Sequence, residues 1–201
     1  MGRFIVKDPF YERAKKEGYR ARSAYKLMEI QKRFHAIKTG DKVLDLGAAP
    51  GGWLQVISQQ IGAKGLVVGI DIAPVAPLNP GNVVTIVADI RAISTVELLA
   101  QAAAPAFDVV TCDIAPNLSG IRDVDEARIA ELYESVLRIA KEGLKQGGGF
   151  ILKSFFGPEF KQRITELKSL FSSVTVYKPD ASRGVSSEIY LVSMGKKQTI
   201  F

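Results

Sequence analysis

The chain has 201 residues, 47% of them hydrophobic and 24% charged, with a net charge of +6; this suffices for one sizeable core and excludes two large domains. The single cysteine, Cys112, excludes an internal disulfide, and with His35 the only histidine no metal site is expected. No apolar run nears the roughly 18 residues that span a bilayer, and the charged start MGRFIVKDPFYERAKK is no signal peptide, so a cytoplasmic protein without membrane contact is expected.

Read from the amino terminus, helical patterns cover about 9–17 and 22–34, within a segment of unusual charge. Residues 1–42 hold 12 Lys and Arg against 5 Asp and Glu, whereas the remainder holds 15 against 16. Phe4, Phe10, Tyr11, Tyr19, Tyr25 and Phe34 are interleaved with these cations, a mixture that suits phosphates and stacked bases. The alternative is a solvated helical face whose rings dock on the core. Short β-branched runs then follow at 42–46, 66–71, 83–88, 107–113, 148–153, 173–177 and 187–194, with helix-like stretches at about 50–61, 94–103, 125–145 and 157–170. GLKQGGG (143–149) reads as a helix stop and tight turn. Alternation of this kind predicts an α/β chain with a mainly parallel sheet covered on both faces. A single domain over 1–201 is expected, with 1–42 as a basic helical RNA-binding segment and 43–201 as the core.

In such a sheet ligands bind beyond the carboxyl ends of the strands, where the strand order reverses. The residues predicted there are Asp45 to Gly52, Asp71, Asp89, Asp113 and Lys153. An Asp after a strand often only caps the next helix, but a succession of them suggests a site. The first turn, DLGAAPGGW (45–53), departs from the dinucleotide pattern G-x-G-x-x-G, because Ala49 stands where the second glycine would approach a pyrophosphate. A nicotinamide cofactor is therefore disfavoured. Asp71 suits ribose hydroxyls and Asp89 an adenine amino group, so an adenosine ligand without phosphate, S-adenosylmethionine, fits better.

YRARSAYKLMEI (19–30), DLGAAPGGW, GIDIAP (69–74), VADIR (87–91), DVVTCDIAPNLSG (108–120), GGFILKSFFG (148–157) and KPDASRGVSSEIYLV (178–192) follow one another in the order found in a known family. The chain resembles the FtsJ-type ribose 2′-O-methyltransferases of ribosomal RNA over nearly its whole length. The resemblance implies a Rossmann-like class I S-adenosylmethionine-dependent methyltransferase fold, with a seven-stranded, mostly parallel sheet and an antiparallel last strand. It also implies a catalytic set of Lys26, Asp113, Lys153 and Glu188, with Gly51, Trp53, Asp71, Asp89 and Asp113 as cofactor contacts. Asp45, Gly47 and Gly52 join the cofactor site from the turn. The implied substrate is a uridine in large-subunit ribosomal RNA. With no appended RNA-binding module read in the sequence, a monomer acting on an assembled subunit is expected.

The chemistry leaves the role of Lys153 open between general base and steering group. Burial and the cation of Lys26 would lower its pKa, and Asp113 and Glu188 would raise it. On pattern alone Lys26 belongs to the solvated face of a helix whose apolar stripe is Leu27, Ile30 and Phe34, and Trp53 belongs to the core. Arg183, Lys196 and Lys197 are candidates to join the basic amino terminus on phosphates, with a plain loop charge as the alternative for Arg183. His35 is read as a surface residue and Cys112 as a buried small hydrophobe. The competing readings are a tRNA ribose methyltransferase and a noncatalytic RNA-binding protein on the same scaffold.

Overall fold

The structure, a computed structural model, describes residues 9–79, 81–115, 119–182 and 187–198. Two helices, α1 (Pro9–Glu17) and α2 (Ala24–Phe34), lead into β1 (Lys42–Leu46), α3 (Gly52–Ile61), β2 (Leu66–Asp71) and β3 (Val83–Val87). Then come α4 (Thr95–Gln101), β4 (Phe107–Cys112), α5 (Arg122–Gly143), β5 (Leu144–Phe155), α6 (Phe160–Leu170), β6 (Phe171–Tyr177) and β7 (Glu188–Lys196). The strands form one sheet in the order β3-β2-β1-β4-β5-β7-β6, as the alternation of elements predicts. β7 runs antiparallel to both β5 and β6, and the remaining pairings are parallel. The order reverses between β1 and β4, which opens a crevice at their carboxyl ends.

Successive residues of the central strands enter opposite layers. Val43 joins the cluster of Leu27, Ile30, Leu54 and Ile57 from α2 and α3, whereas Leu44 joins that of Leu98, Leu137 and Leu167 from α4, α5 and α6. That is the period of two expected of strands buried on both sides. α2 ends at His35, an exposed residue in the left-handed region at φ 49° whose N–H donates to the Gln31 carbonyl. The Gln31 side chain then brackets Ile37 through its backbone N–H and C=O, which turns the chain toward β1. No helix among the described residues is long and apolar enough to cross a membrane.

Two expectations need correction. GLKQGGG is not a turn between elements: α5 stops at Gly143 as expected, but β5 begins at once with Leu144. Phe107 pairs with Leu144 and Val109 with Gly149, so the run is taken up as a register irregularity inside the strand. Most of the amino-terminal rings also pack rather than wait for bases. Tyr25 is buried, with Phe10 and Tyr19 centred 5.7 and 5.8 Å from it, and Phe34 meets Tyr177 edge-on at 5.4 Å. Phe4 lies outside the described residues.

The turn after β1 depends on Gly47. Its φ of +80° disfavours any side chain, and a Cβ there would lie 2.2 Å from Ile114 Cγ1. Gly47→Ala is expected to lower stability by roughly 2 kcal/mol or more in denaturant unfolding. An unchanged midpoint would show that Ile114 moves aside at no cost.

Candidate active site

The crevice between the carboxyl ends of β1, β2, β3 and β4 is a cleft of about 550 Å³, lined among others by Gly47, Ala49, Asp71, Ile72, Asp89 and Asp113. Its floor is the first turn, and the direction of that turn's N–H groups decides what can bind. Gly47 and Ala48 donate to the Ile70 carbonyl at 2.9 and 3.1 Å, and Ala49 donates to Asp71 Oδ2 at 3.0 Å. Three successive backbone donors are thus spent on β2 instead of forming an anion-binding nest. With carboxylates at the strand ends, the cleft disfavours phosphate and favours a ligand with hydroxyl, amino or cationic groups.

The rest of the turn faces the amino-terminal segment. At Gly51, with φ +108°, a Cβ would meet Arg20 Nη1 at 3.0 Å and Val75 Cγ1 at 3.2 Å, and at Gly52 it would meet Ala21 Cβ at 3.0 Å. Arg20 donates to the carbonyls of Pro50, Ala76 and Pro77 at 3.3, 2.6 and 2.7 Å. It therefore pins the turn and the Pro-rich loop together, a role hidden in sequence among the other cations of its segment. Trp53 does not line the cleft either: it is 3% exposed, its Nε1 donates to the Ser23 carbonyl, and its ring stacks on Tyr190 at 5.8 Å. The Trp53 side chain and the close approaches at Gly51 and Gly52 thus fix the turn from behind by packing.

The acids have separate fates. Both oxygens of Asp71 accept from backbone N–H groups, of Ala49 and Ala73, which aims the carboxylate at the cleft mouth. Asp89 is clamped by the backbone N, Nε and Nη2 of Arg91, and these hydrogen bonds hold its carboxyl below the usual range. Asp45 departs from expectation: it is 1% exposed, and its Oδ1 accepts from Thr111 Oγ1 at 2.7 Å inside the sheet. Burial pushes its carboxyl up to about 8, Asp113 and Asp71 add to the rise, and Thr111 opposes it.

Beside the cleft, the structure brings Lys26, Asp113, Lys153 and Glu188 together. Glu188 takes Lys26 Nζ on Oε1 at 2.5 Å and Lys153 Nζ on Oε2 at 3.1 Å, and Lys153 also reaches Asp113 Oδ1 at 3.3 Å. Two hydroxyls complete the set: Ser182 donates to Glu188 at 3.1 Å and Tyr190 to Asp113 at 2.6 Å. Neither was foreseen, although Tyr190 follows Glu188 by two residues on one strand and so shares its face. Burial lowers the Lys153 pKa, but the charges of Asp113 and Glu188 and their hydrogen bonds outweigh it, so the net shift is upward. Burial would raise that of Glu188, and Lys26 with Lys153 outweighs it in the other direction. Lys153 therefore carries its proton at neutral pH. Lys26, placed on the solvated face by helical pattern, is 5% exposed, because α2 is covered on a wider arc than its apolar stripe. Arg183 lies outside the described residues. Lys196 donates to the carbonyls of Lys141 and Leu144, so its amine is engaged at the opposite end of β7 from Glu188. Cys112 is buried as expected, which raises its thiol to about 12. Among the described residues no cluster of His, Cys, Asp and Glu could hold a metal.

A sheet of this order, with an acid-lined cleft at its reversal point, defines a Rossmann-like α/β protein with a candidate small-molecule site. A model of the FtsJ-like methyltransferases matches residues 19–196. The ribosomal RNA large subunit methyltransferase E of Methanothrix thermoacetophila is 52% identical over 191 residues, 95% of this chain and 72% of that protein. Its namesake in Syntrophobacter fumaroxidans is 46% identical over 95% of this chain and 96% of its own. A crystal structure of a provisionally named ribosomal RNA methyltransferase from Plasmodium falciparum superposes with a TM-score of 0.77 at 28% identity, covering 90% of this chain and all of that one. Aeropyrum pernix fibrillarin, solved with bound S-adenosyl-L-methionine, shares the fold, with a TM-score of 0.62 at 19% identity over 86% of this chain and 76% of that one. The chain belongs to the FtsJ-like methyltransferase family and is an RNA methyltransferase.

The buried acid gives a pH-dependent prediction. Between the ordinary value of 3.8 and the folded value of about 8, folded Asp45 keeps a proton that the unfolded chain releases, so its contribution to stability falls as pH rises through that window. Asp45→Asn is expected to gain stability relative to the parent between about pH 5 and 8. The same difference in denaturation midpoint at both ends would show that Asp45 titrates normally.

Proposed function

We propose that this enzyme methylates the 2′-hydroxyl of a uridine ribose in large-subunit ribosomal RNA, using S-adenosylmethionine. The observation that carries the reading is a buried, cationic Lys153 held between Asp113 and Glu188, with Asp113 also lining the cleft. The cleft suits this cofactor because its turn donors are internally spent and its walls are acidic. About 550 Å³ is also within the range of small-molecule sites. Gly47, Ala49 and Ile72 would bound the ligand, Asp71 would accept from its ribose, and Asp89 would share its carboxylate between Arg91 and the adenine amino group. When bound, the cofactor supplies an electrophilic methyl on a sulfonium.

The chain's own part is to orient the nucleophile. Protonated Lys153 donates to the ribose oxygen, which leaves a lone pair directed at the incoming carbon. Asp113 and Glu188 fix the amine, and Tyr190 and Ser182 fix the carboxylates. The hydroxyl proton is lost to Asp113 or to water as the oxygen gains its new bond. Because Lys153 arrives protonated, steering describes it better than general base.

A 2′-hydroxyl implies RNA. Lys15, Lys16, Lys32 and Lys38 remain exposed on the amino-terminal segment and would meet phosphates. The named relatives favour large-subunit ribosomal RNA over tRNA. We place the reaction in the cytoplasm, with a monomer acting on the assembled subunit.

Mapping ribose methylation on large-subunit RNA as alkali-resistant dinucleotides, after incubation with enzyme and labelled cofactor, tests the reading. Lys153→Met is expected to lower turnover by about a thousandfold while cofactor affinity stays within about threefold. Asp71→Ala is expected to weaken cofactor binding by about tenfold or more. Label in a base rather than a ribose, or loss of cofactor binding in Lys153→Met, would overturn it.

A further inference from the structure

Rings were expected in the amino-terminal segment to stack on bases, yet Phe10, Tyr19, Tyr25 and Phe34 all pack against other rings. Among the described residues two aromatic side chains stay well exposed, Tyr11 at 59% and Phe156 at 61%. A lone exposed apolar residue needs no special cause. The place of Phe156 is what distinguishes it.

Phe156 directly follows β5, the strand that carries Lys153, and lies three residues beyond that lysine. At a strand rise of about 3.3 Å per residue, its backbone is at most about 10 Å from that of Lys153. A base on the target nucleotide or on its neighbour spans such a distance. The ring is also preset. Phe160, at the start of α6 and packed against the core, meets it at 5.0 Å and 61°, an edge contact that orients Phe156 without covering it. Gly157 leaves open space on the following side, with nothing within 4 Å of where a Cβ would stand. A ring already ordered loses little freedom on binding. Single-stranded RNA is gripped by such platforms, because every base presents a π-face.

We propose that Phe156 is a stacking platform for an unpaired base of the RNA substrate, at or beside the nucleotide whose ribose meets Lys153. The proposal rests on the ribose-methylation reading above. Undermethylated large ribosomal subunits and labelled cofactor, with parent enzyme, Phe156→Ala, Phe156→Leu and Phe156→Trp, separate the two. The alanine and leucine variants are expected to raise KM for the subunit by about tenfold, with cofactor affinity and thermal midpoint unchanged, and tryptophan is expected to restore it. Normal KM in Phe156→Ala overturns the platform, as does rescue by leucine equal to that by tryptophan, which would indicate packing alone. Absence of ribose methylation by the parent enzyme overturns the underlying reading instead.

Discussion

The ion pairs of Lys153 with Asp113 and Glu188 set the terms for the rest of the site. Two amines and two carboxylates are gathered where water is largely excluded, and such a group is tolerated only when its charges cancel and its oxygens are hydrogen-bonded. Lys26 supplies the second cation, Ser182 donates to the same Glu188 oxygen as Lys26, and Tyr190 donates to the same Asp113 oxygen as Lys153. Removing one member leaves an uncompensated charge on the others. The network is therefore a positioning device as well as an electrostatic one, and it fixes the charge state in which Lys153 meets its substrate.

The antiparallel entry of β7 between β5 and β6 delivers one member of that network. The register sets Phe155 opposite Glu188 and Lys153 opposite Tyr190, which brings the start of β7 beside the end of β5. Asp113 arrives from the end of β4, and Lys26 is brought in by α2 packed on α3. Asp113 belongs both to the network and to the cleft wall, so the methyl-donor side and the acceptor side share one carboxylate. The turn behind it is held from the back by Arg20, Trp53 and the fit of Gly47 against Ile114. These contacts shape the turn that floors the cleft.

Much of the fold was legible because buried parallel strands are written as apolar runs closed by a charge, as in LVVGID and VVTCD. The strand-end positions of Asp71 and Asp113 followed from counting those runs, whereas the strand order that sets the reversal point came from the structure. Burial that depends on a distant partner was not legible. Lys26 lies off the apolar stripe of α2, and only the resemblance to a family placed it in the site. Asp45 sits at a strand end like Asp71, yet it turns into the sheet toward Thr111, a choice set by neighbouring strands. The glycines of GLKQGGG signal a departure from regular backbone without saying whether the chain turns or bulges, and pairing with β4 decided it.

The charge of Lys153 is open to direct observation. A titration of its side-chain ammonium by NMR, with the lysine isotopically labelled and identified through Lys153→Met, is expected to give a midpoint above the ordinary 10.5, and to move downward when Glu188 is neutralised by Glu188→Gln. A midpoint near neutrality would make Lys153 a free amine under working conditions and contradict the steering role assigned to it.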